Sequence, residues 1–318
     1  MTLRIAVTGI SGDVGLGTIQ GLRARSERTE EKSILGLDAD PDCAARHLCD
    51  DFVQLPTVSD EQYVAKLLQA IEERAIEVLL PGIDSEIPVL SRSRSVLARS
   101  RTHVVLAPHD LVEAADDKLA TAAYLSERGV PVPHTCLADC GVKIELPVIA
   151  KPRHGHGSRG ICLLRTDLEL RDFCRSDIAD YCLQQYIEGP ELTVGFLYDR
   201  DCLMQDVLAM ERVLRDGRTV MGRVVTDKPL LREIEDIGQR IPGMGAVNVQ
   251  LRIQPGVGPV VFEINPRLSG STGMRVAVGF NDPLRLAEHF ARGVPIMKAL
   301  VRPATIYRYS NDLVLDMP

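Results

Sequence analysis

A run of about 18 apolar residues, the least that spans a bilayer as a helix, is missing from this 318-residue chain. The segment MTLRIAVTG leads straight into a strand, so neither a secretory leader nor a membrane anchor is expected. Zinc-type CxxC spacing is absent as well. The eight cysteines are scattered singly, and the nearest pairs, Cys43/Cys49 and Cys136/Cys140, lack partner pairs. Most read as small buried hydrophobes of a reducing cytoplasm. No basic run offsets the net charge of −7, which argues against nucleic acid as the partner. The densest cationic cluster, Arg92, Arg94, Arg99 and Arg101, reads as a solvated face. No internal repeat is found.

What remains is an ordinary globular composition, 45% hydrophobic and 25% charged, long enough for roughly two domains. The N-terminal third alternates strands and helices. Leu3–Thr8 is followed by Gly9, Gly12, Gly15 and Gly17, then by a helix and a second strand ending at Asp38. Further strands are expected at Phe52–Leu55, Ile76–Leu80 and His103–Ala107. Val64, Leu67, Leu68 and Ile71 form an amphipathic helix between two of them. This alternation predicts an α/β domain, a doubly wound parallel sheet with helices on both faces. The glycine turn has two readings: a dinucleotide site with Asp38 on a ribose, or close helix–strand packing. Asp84 and Glu86, past the fourth strand, either meet a substrate amine or cap the next helix.

After Pro108 the pattern changes. Asp116, Asp117 and Lys118 introduce a helix closed by Gly129. A strand ending at Lys151 runs into PRHGHGSRG, a glycine-rich loop between two strands. Such a loop either folds over phosphates, with backbone N–H groups, Ser158 and Lys151 as donors, or is a surface hairpin. It is not a Walker loop, because the GK[ST] ending is absent. The segment QQYIEGPE follows, its backbone edge from Gln184 to Ile187 suited to an adenine ring.

Two apolar runs, Ala246–Ile253 and Val260–Ile264, flank a Pro/Gly turn and predict a β-hairpin. Alternation places Val261, Glu263 and Asn265 on one face and Phe262 and Ile264 on the other. Gln250 joins Glu263 and Asn265 from the partner strand, and Arg267 stands at the strand exit. Either these residues face water, or they hold Mg²⁺ on a polyphosphate.

In this order, Lys118, Lys151 with its glycine loop, QQYIEGPE, NVQ and FEINPR, the chain resembles the ATP-grasp superfamily, and within it the carbamoyl-phosphate-synthetase-like single-unit ligases. The resemblance implies a pre-ATP-grasp Rossmann-like domain over 1–108, a small ATP-grasp subdomain over 109–187 and a large one over 188–318, with α+β character in the C-terminal part. It implies ATP and Mg²⁺ (or Mn²⁺) as cofactors. Lys118, Lys151, His154, Gly155, Gly157, Ser158 and Gly160 would meet phosphates. Gln184, Gln185, Tyr186 and Ile187 would meet adenine, with the Gln184 amide oxygen turned to its amino group, and Glu191 the ribose. Gln250, Glu263 and Asn265 would hold the metal, Asn265 also touching the nucleotide. Arg267 and Arg223 would be catalytic. Arg267, Ser269, Gly270, Ser271 and Arg275 would meet substrate. Arg223 and Arg275 read equally well as surface salt-bridge residues.

The activity implied is amide or peptide bond formation through an acyl phosphate, between small-molecule carboxylate and amine substrates, in a cytoplasmic enzyme without nucleic-acid or membrane partners and expected to form a homodimer. Kinase-like phosphorylation of a carboxylate or carbamate, a non-catalytic nucleotide-binding protein, and a dehydrogenase using the N-terminal glycines are the alternatives. Carbamoyl phosphate synthetases carry a second arginine where this chain has Gly270, which argues against bicarbonate and for a bulkier carboxylate. Glu263→Ala is expected to lower ATP turnover by about 10²–10³ or more, the scale of losing one preorganised group, while circular dichroism stays unchanged. Wild-type ADP release from the folded variant would remove the metal assignment.

Overall fold

A computed structural model describes residues 2–24, 30–138, 143–155, 160–175 and 178–315. The N-terminal sheet contains β1 (Leu3–Thr8), β2 (Lys32–Asp38), β3 (Asp51–Gln54), β4 (Val78–Leu80) and β5 (His103–Val104). Their order is β3-β2-β1-β4-β5, all parallel. Helices lie on both faces, as expected. Leu67, Ile71, Ile87 and Leu90 pack with Ala6, Leu35 and Leu79 on one face. Ile19 and Leu22 pack with Ile5, Val7 and Ile34 on the other.

The strand order reverses between β1 and β4, the usual place for a crevice in an open α/β sheet. A cleft of about 390 Å³ opens there, lined among others by Ser11, Asp13, Asp38, Thr57 and Asp84.

Two antiparallel sheets follow. The small one has β6 (Thr135–Leu137), β7 (Val148–Pro152), β8 (Cys162–Leu164) and β9 (Tyr181–Gln185), in the order β6-β9-β7-β8. The large one has β10 (Glu191–Tyr198), β11 (Met204–Arg215), β12 (Arg218–Val224), β13 (Gly245–Gln254), β14 (Gly258–Asn265) and β15 (Thr305–Tyr307), in the order β14-β13-β10-β11-β12-β15. Between the two sheets the chain turns at Gly189, where φ is +126° and a Cβ would lie 2.0 Å from the Ile253 carbonyl oxygen. Only glycine fits that turn.

The expected hairpin is β13–β14, with one correction. Gln250 pairs with Glu263 but Leu251 pairs with Val261, so Phe262 is an extra residue in the strand. This β-bulge resets the alternation. Val261 therefore turns into the core with Ile264, instead of sharing a face with Glu263.

Of the N-terminal glycines, Gly17 serves packing between helices. Helix Asp13–Arg23 lies against helix Thr272–Ala277, and a Cβ on Gly17 would stand 2.8 Å from the Gly273 nitrogen. Asp38 holds the glycine turn closed, accepting the Ser11 and Asp40 N–H groups at 2.8 and 3.0 Å. Gly17→Ala is expected to destabilise by about 1–3 kcal/mol through overpacking. A lowered urea midpoint followed by circular dichroism would show it; an unchanged midpoint would contradict the packing role.

Candidate active site

The two antiparallel sheets meet at Lys151. This residue, the last but one of β7, is 4% exposed, and donates to the Gln184 side-chain oxygen at 2.8 Å and to the Phe262 carbonyl at 3.3 Å. The bulge explains the second bond, since it frees that carbonyl from the ladder. Burial pushes the Lys151 ammonium below the usual lysine range, while the charge of Glu263 draws it back up. Lys118, the first residue of helix Lys118–Glu127, donates to the Gly155 carbonyl at 3.0 Å. Both lysines therefore stand at the root of the glycine loop. His154 is held at the Asp116 carbonyl, 3.1 Å away. Gly160 turns at φ +72°. His156, Gly157 and Ser158 lie outside the described residues.

The Gln184 amide is buried, its oxygen taken by Lys151 and its nitrogen donating to Thr135 Oγ1 at 3.0 Å. The oxygen expected to meet an adenine amino group is thus turned to the lysine. Along the same edge, the Gln185 and Tyr186 N–H groups bond to the His134 and Pro147 carbonyls at 2.8 and 3.0 Å. The Ile187 carbonyl receives Arg252 at 3.4 Å. Glu191 is held between Arg212 and Arg252, at 2.6 and 2.8 Å.

On the facing strand, Asn265 Nδ2 donates to Glu263 Oε1 at 3.0 Å. Arg267 donates to Asp84, to the Leu268 carbonyl at 2.7 Å and to Asn265 Oδ1 at 3.4 Å. Asp84 belongs to the N-terminal cleft, so that cleft and Arg267 share one carboxylate. Glu263 and Asn265 offer adjacent oxygen donors of the kind hard divalent cations take. The third residue expected to hold the metal, Gln250, accepts from Arg212 through its side-chain oxygen at 2.7 Å.

Further expectations need correction. Arg223 pairs with Glu211 across β11–β12, on the face opposite Arg212 and Glu263, and is exposed. Arg275 is 1% exposed, bonded to Asp282 at 2.9 Å and to Asn248 Oδ1 at 2.6 Å. It is a core ion pair, not a ligand for a substrate carboxylate. Ser269 and Ser271 are buried and bonded to each other at 2.7 Å, while Gly270 presents its carbonyl to Arg308. Thr272 and Gly273, just beyond them, are the residues that approach Gly17 closely. Glu86 is fully buried, accepting from Thr8, Tyr63 and the Gly82 and Ile83 N–H groups, and burial raises its carboxyl above the usual range. It supports the fold beneath the cleft. Arg212, Arg252 and Arg308 carried no sequence signal beyond their alternation and charge.

Two antiparallel sheets facing each other, one carrying Lys151 with Lys118 on the helix before it and the other an acid–amide strand leading into an arginine, behind a parallel N-terminal sheet, define the ATP-grasp class. Residues 115–271 match the family model described as ATP-grasp domain, and residues 19–105 match PylC-like, N-terminal domain. The chain belongs to the ATP-grasp superfamily. An uncharacterized protein of Sinorhizobium fredii, y4rH, is 30% identical over 188 residues, covering 50% of this chain and 38% of its own. A second from the same organism, y4sG, is 27% identical over 94 residues, covering 27% of this chain and 28% of its own. The chain thus spans less than two fifths of the curated relatives it matches. Among solved structures, N5-carboxyaminoimidazole synthetase from Staphylococcus aureus complexed with ADP aligns with a TM-score of 0.76 at 16% identity, over 96% of this chain and 82% of that one. L-amino acid ligase from Bacillus licheniformis aligns at 0.71 and 16% identity, over 95% and 78%. These are likenesses of fold. Among the described residues no helix is long and apolar enough to cross a membrane.

Arg275→Met leaves Asp282 buried without its cation, a change that costs about 3–5 kcal/mol. A large fall in the urea midpoint is expected, and a stable variant with only a raised KM for a carboxylate would return Arg275 to the substrate site.

Proposed function

We propose that the protein is a cytoplasmic ATP-dependent carboxylate–amine ligase that forms an amide or peptide bond and releases ADP and phosphate. The observation that carries this reading is the buried Lys151 ammonium facing Glu263 and Asn265 across the two sheets, with Arg267 at the strand exit. Nucleotide phosphates between them would meet fixed cations on one side and metal-holding oxygens on the other. Glu263 and Asn265 would hold Mg²⁺ or Mn²⁺, and the bound ion would neutralise charge on the phosphates.

In the first step a carboxylate oxygen of the substrate attacks the γ-phosphorus. The bond from that phosphorus to the β–γ bridging oxygen breaks, and ADP leaves. Two anions approach each other here, and Lys118, Lys151 and Arg267 stabilise the charge. In the second step the amine nitrogen attacks the acyl carbon, phosphate departs with the electron pair of the broken C–O bond, and the amine's proton passes to solvent. Arg267 would steady the oxyanion of the tetrahedral intermediate.

The N-terminal cleft is the proposed seat of the amine. It touches Arg267 through Asp84, and among the described residues its lining holds Asp13, Asp38 and Asp84 and no lysine or arginine, with Asp13 paired to Arg218 and Arg308 and Asp84 to Arg267 behind it. A neutral or cationic amine suits such a lining better than an anion.

A screen of amino and hydroxy acids for ADP release, with hydroxylamine trapping and mass spectrometry of products, tests this. Amide product with stoichiometric ADP is expected. ADP and a trapped hydroxamate without amide would point to the kinase-like reaction. No ADP with any pair would contradict catalysis.

A further inference from the structure

Arg212 lies on β11, where register carries it onto the face of Glu191, Gln250 and Glu263. Its side chain is 11% exposed. One nitrogen, Nη2, donates both to Glu191 Oε1 at 2.6 Å and to Gln250 Oε1 at 2.7 Å, while Nε donates to Glu191 Oε1 at 2.8 Å. Arg252 takes the other Glu191 oxygen at 2.8 Å. One carboxylate thus serves two guanidiniums, and the group keeps a net positive charge beside the strand that carries Glu263.

An amide oxygen that accepts from a guanidinium already serves a cation. A divalent ion on that oxygen would stand within a few ångströms of the guanidinium, and both the like charge and the crowding oppose it. Withdrawing Arg212 would break its bonds to Glu191. Glu263 and Asn265, by contrast, stand two residues apart on one strand and are not turned to Arg212; the Asn265 oxygen meets the Arg267 guanidinium at 3.4 Å, a longer and weaker contact than the 2.7 Å bond on Gln250.

We propose that Arg212 takes the place of one metal ion, so that the nucleotide is held with a single divalent cation on Glu263 and Asn265 and with the Arg212 guanidinium as the second positive charge. Gln250 then positions Arg212 and is not a metal ligand. This rests on the reading of the cleft as a nucleotide site.

The test counts Mn²⁺ by equilibrium dialysis against the full chain saturated with a non-hydrolysable ATP analogue, expressed per bound nucleotide. Wild type is expected to hold one Mn²⁺. The double change Arg212→Gln with Gln250→Glu, which removes the cation and adds a carboxylate, is expected to hold two. Arg212→Lys should retain one Mn²⁺ and nucleotide affinity within about threefold, whereas Arg212→Gln should lose about tenfold or more, the scale of a hydrogen bond to a charged group. Two Mn²⁺ in wild type would overturn the inference while leaving the ligase reading intact, and so would one in a folded double variant. Should the double variant fail to fold, equal nucleotide affinities of Arg212→Lys and Arg212→Gln would overturn it too. Absence of nucleotide binding by wild type would remove both readings together.

Discussion

The contact between the two antiparallel sheets depends on one buried ammonium. Lys151 sits at the end of a strand in the small sheet and reaches across to the backbone of the large one. A buried charge is costly unless it is hydrogen-bonded and faced by an opposite charge. Here the Gln184 oxygen and the Phe262 carbonyl supply the bonds and Glu263 supplies the charge. The same lysine therefore joins the sheets and presents positive charge where the proposed function puts the phosphates. The bulge at Phe262 is part of this arrangement, because a regular strand would keep that carbonyl in its ladder.

A second constraint ties the N-terminal domain to the cleft. Arg267 leaves β14 and ends on Asp84, past β4 of the parallel sheet. Asp13, in the first turn of helix Asp13–Arg23, takes Arg218 and Arg308 from the large sheet and the tail. Gly17 and Gly273 let the helices on either side approach closely. Gly17, one of the glycines that resemble a dinucleotide fingerprint, thus holds the N-terminal domain close against the helix that follows Arg267.

Much of this was legible in the sequence, for identifiable reasons. Alternation with period two exposed the β13–β14 hairpin and placed Glu263 and Asn265 together, since that pattern depends only on local backbone geometry. The parallel sheet followed from strands alternating with helical segments. What escaped depends on tertiary contacts. A one-residue bulge leaves no mark in composition, so Val261 was given the wrong face. Arg223 and Arg212 fall on opposite faces of neighbouring strands, which only the register of β11 with β12 decides. Arg275 looked available because Asp282, its partner, lies beyond a turn and inside the core. The small residues from Ser269 to Ser271 suggested a pocket, but smallness serves close packing equally well.

Calorimetry of MgADP binding decides whether Lys151 holds a nucleotide, because it needs neither substrate to be known. One nucleotide per chain is expected in wild type, with at least about tenfold weaker binding in Lys151→Met, the scale of a charge-assisted hydrogen bond. No binding to wild type, or equal affinity in a folded Lys151→Met, would contradict it.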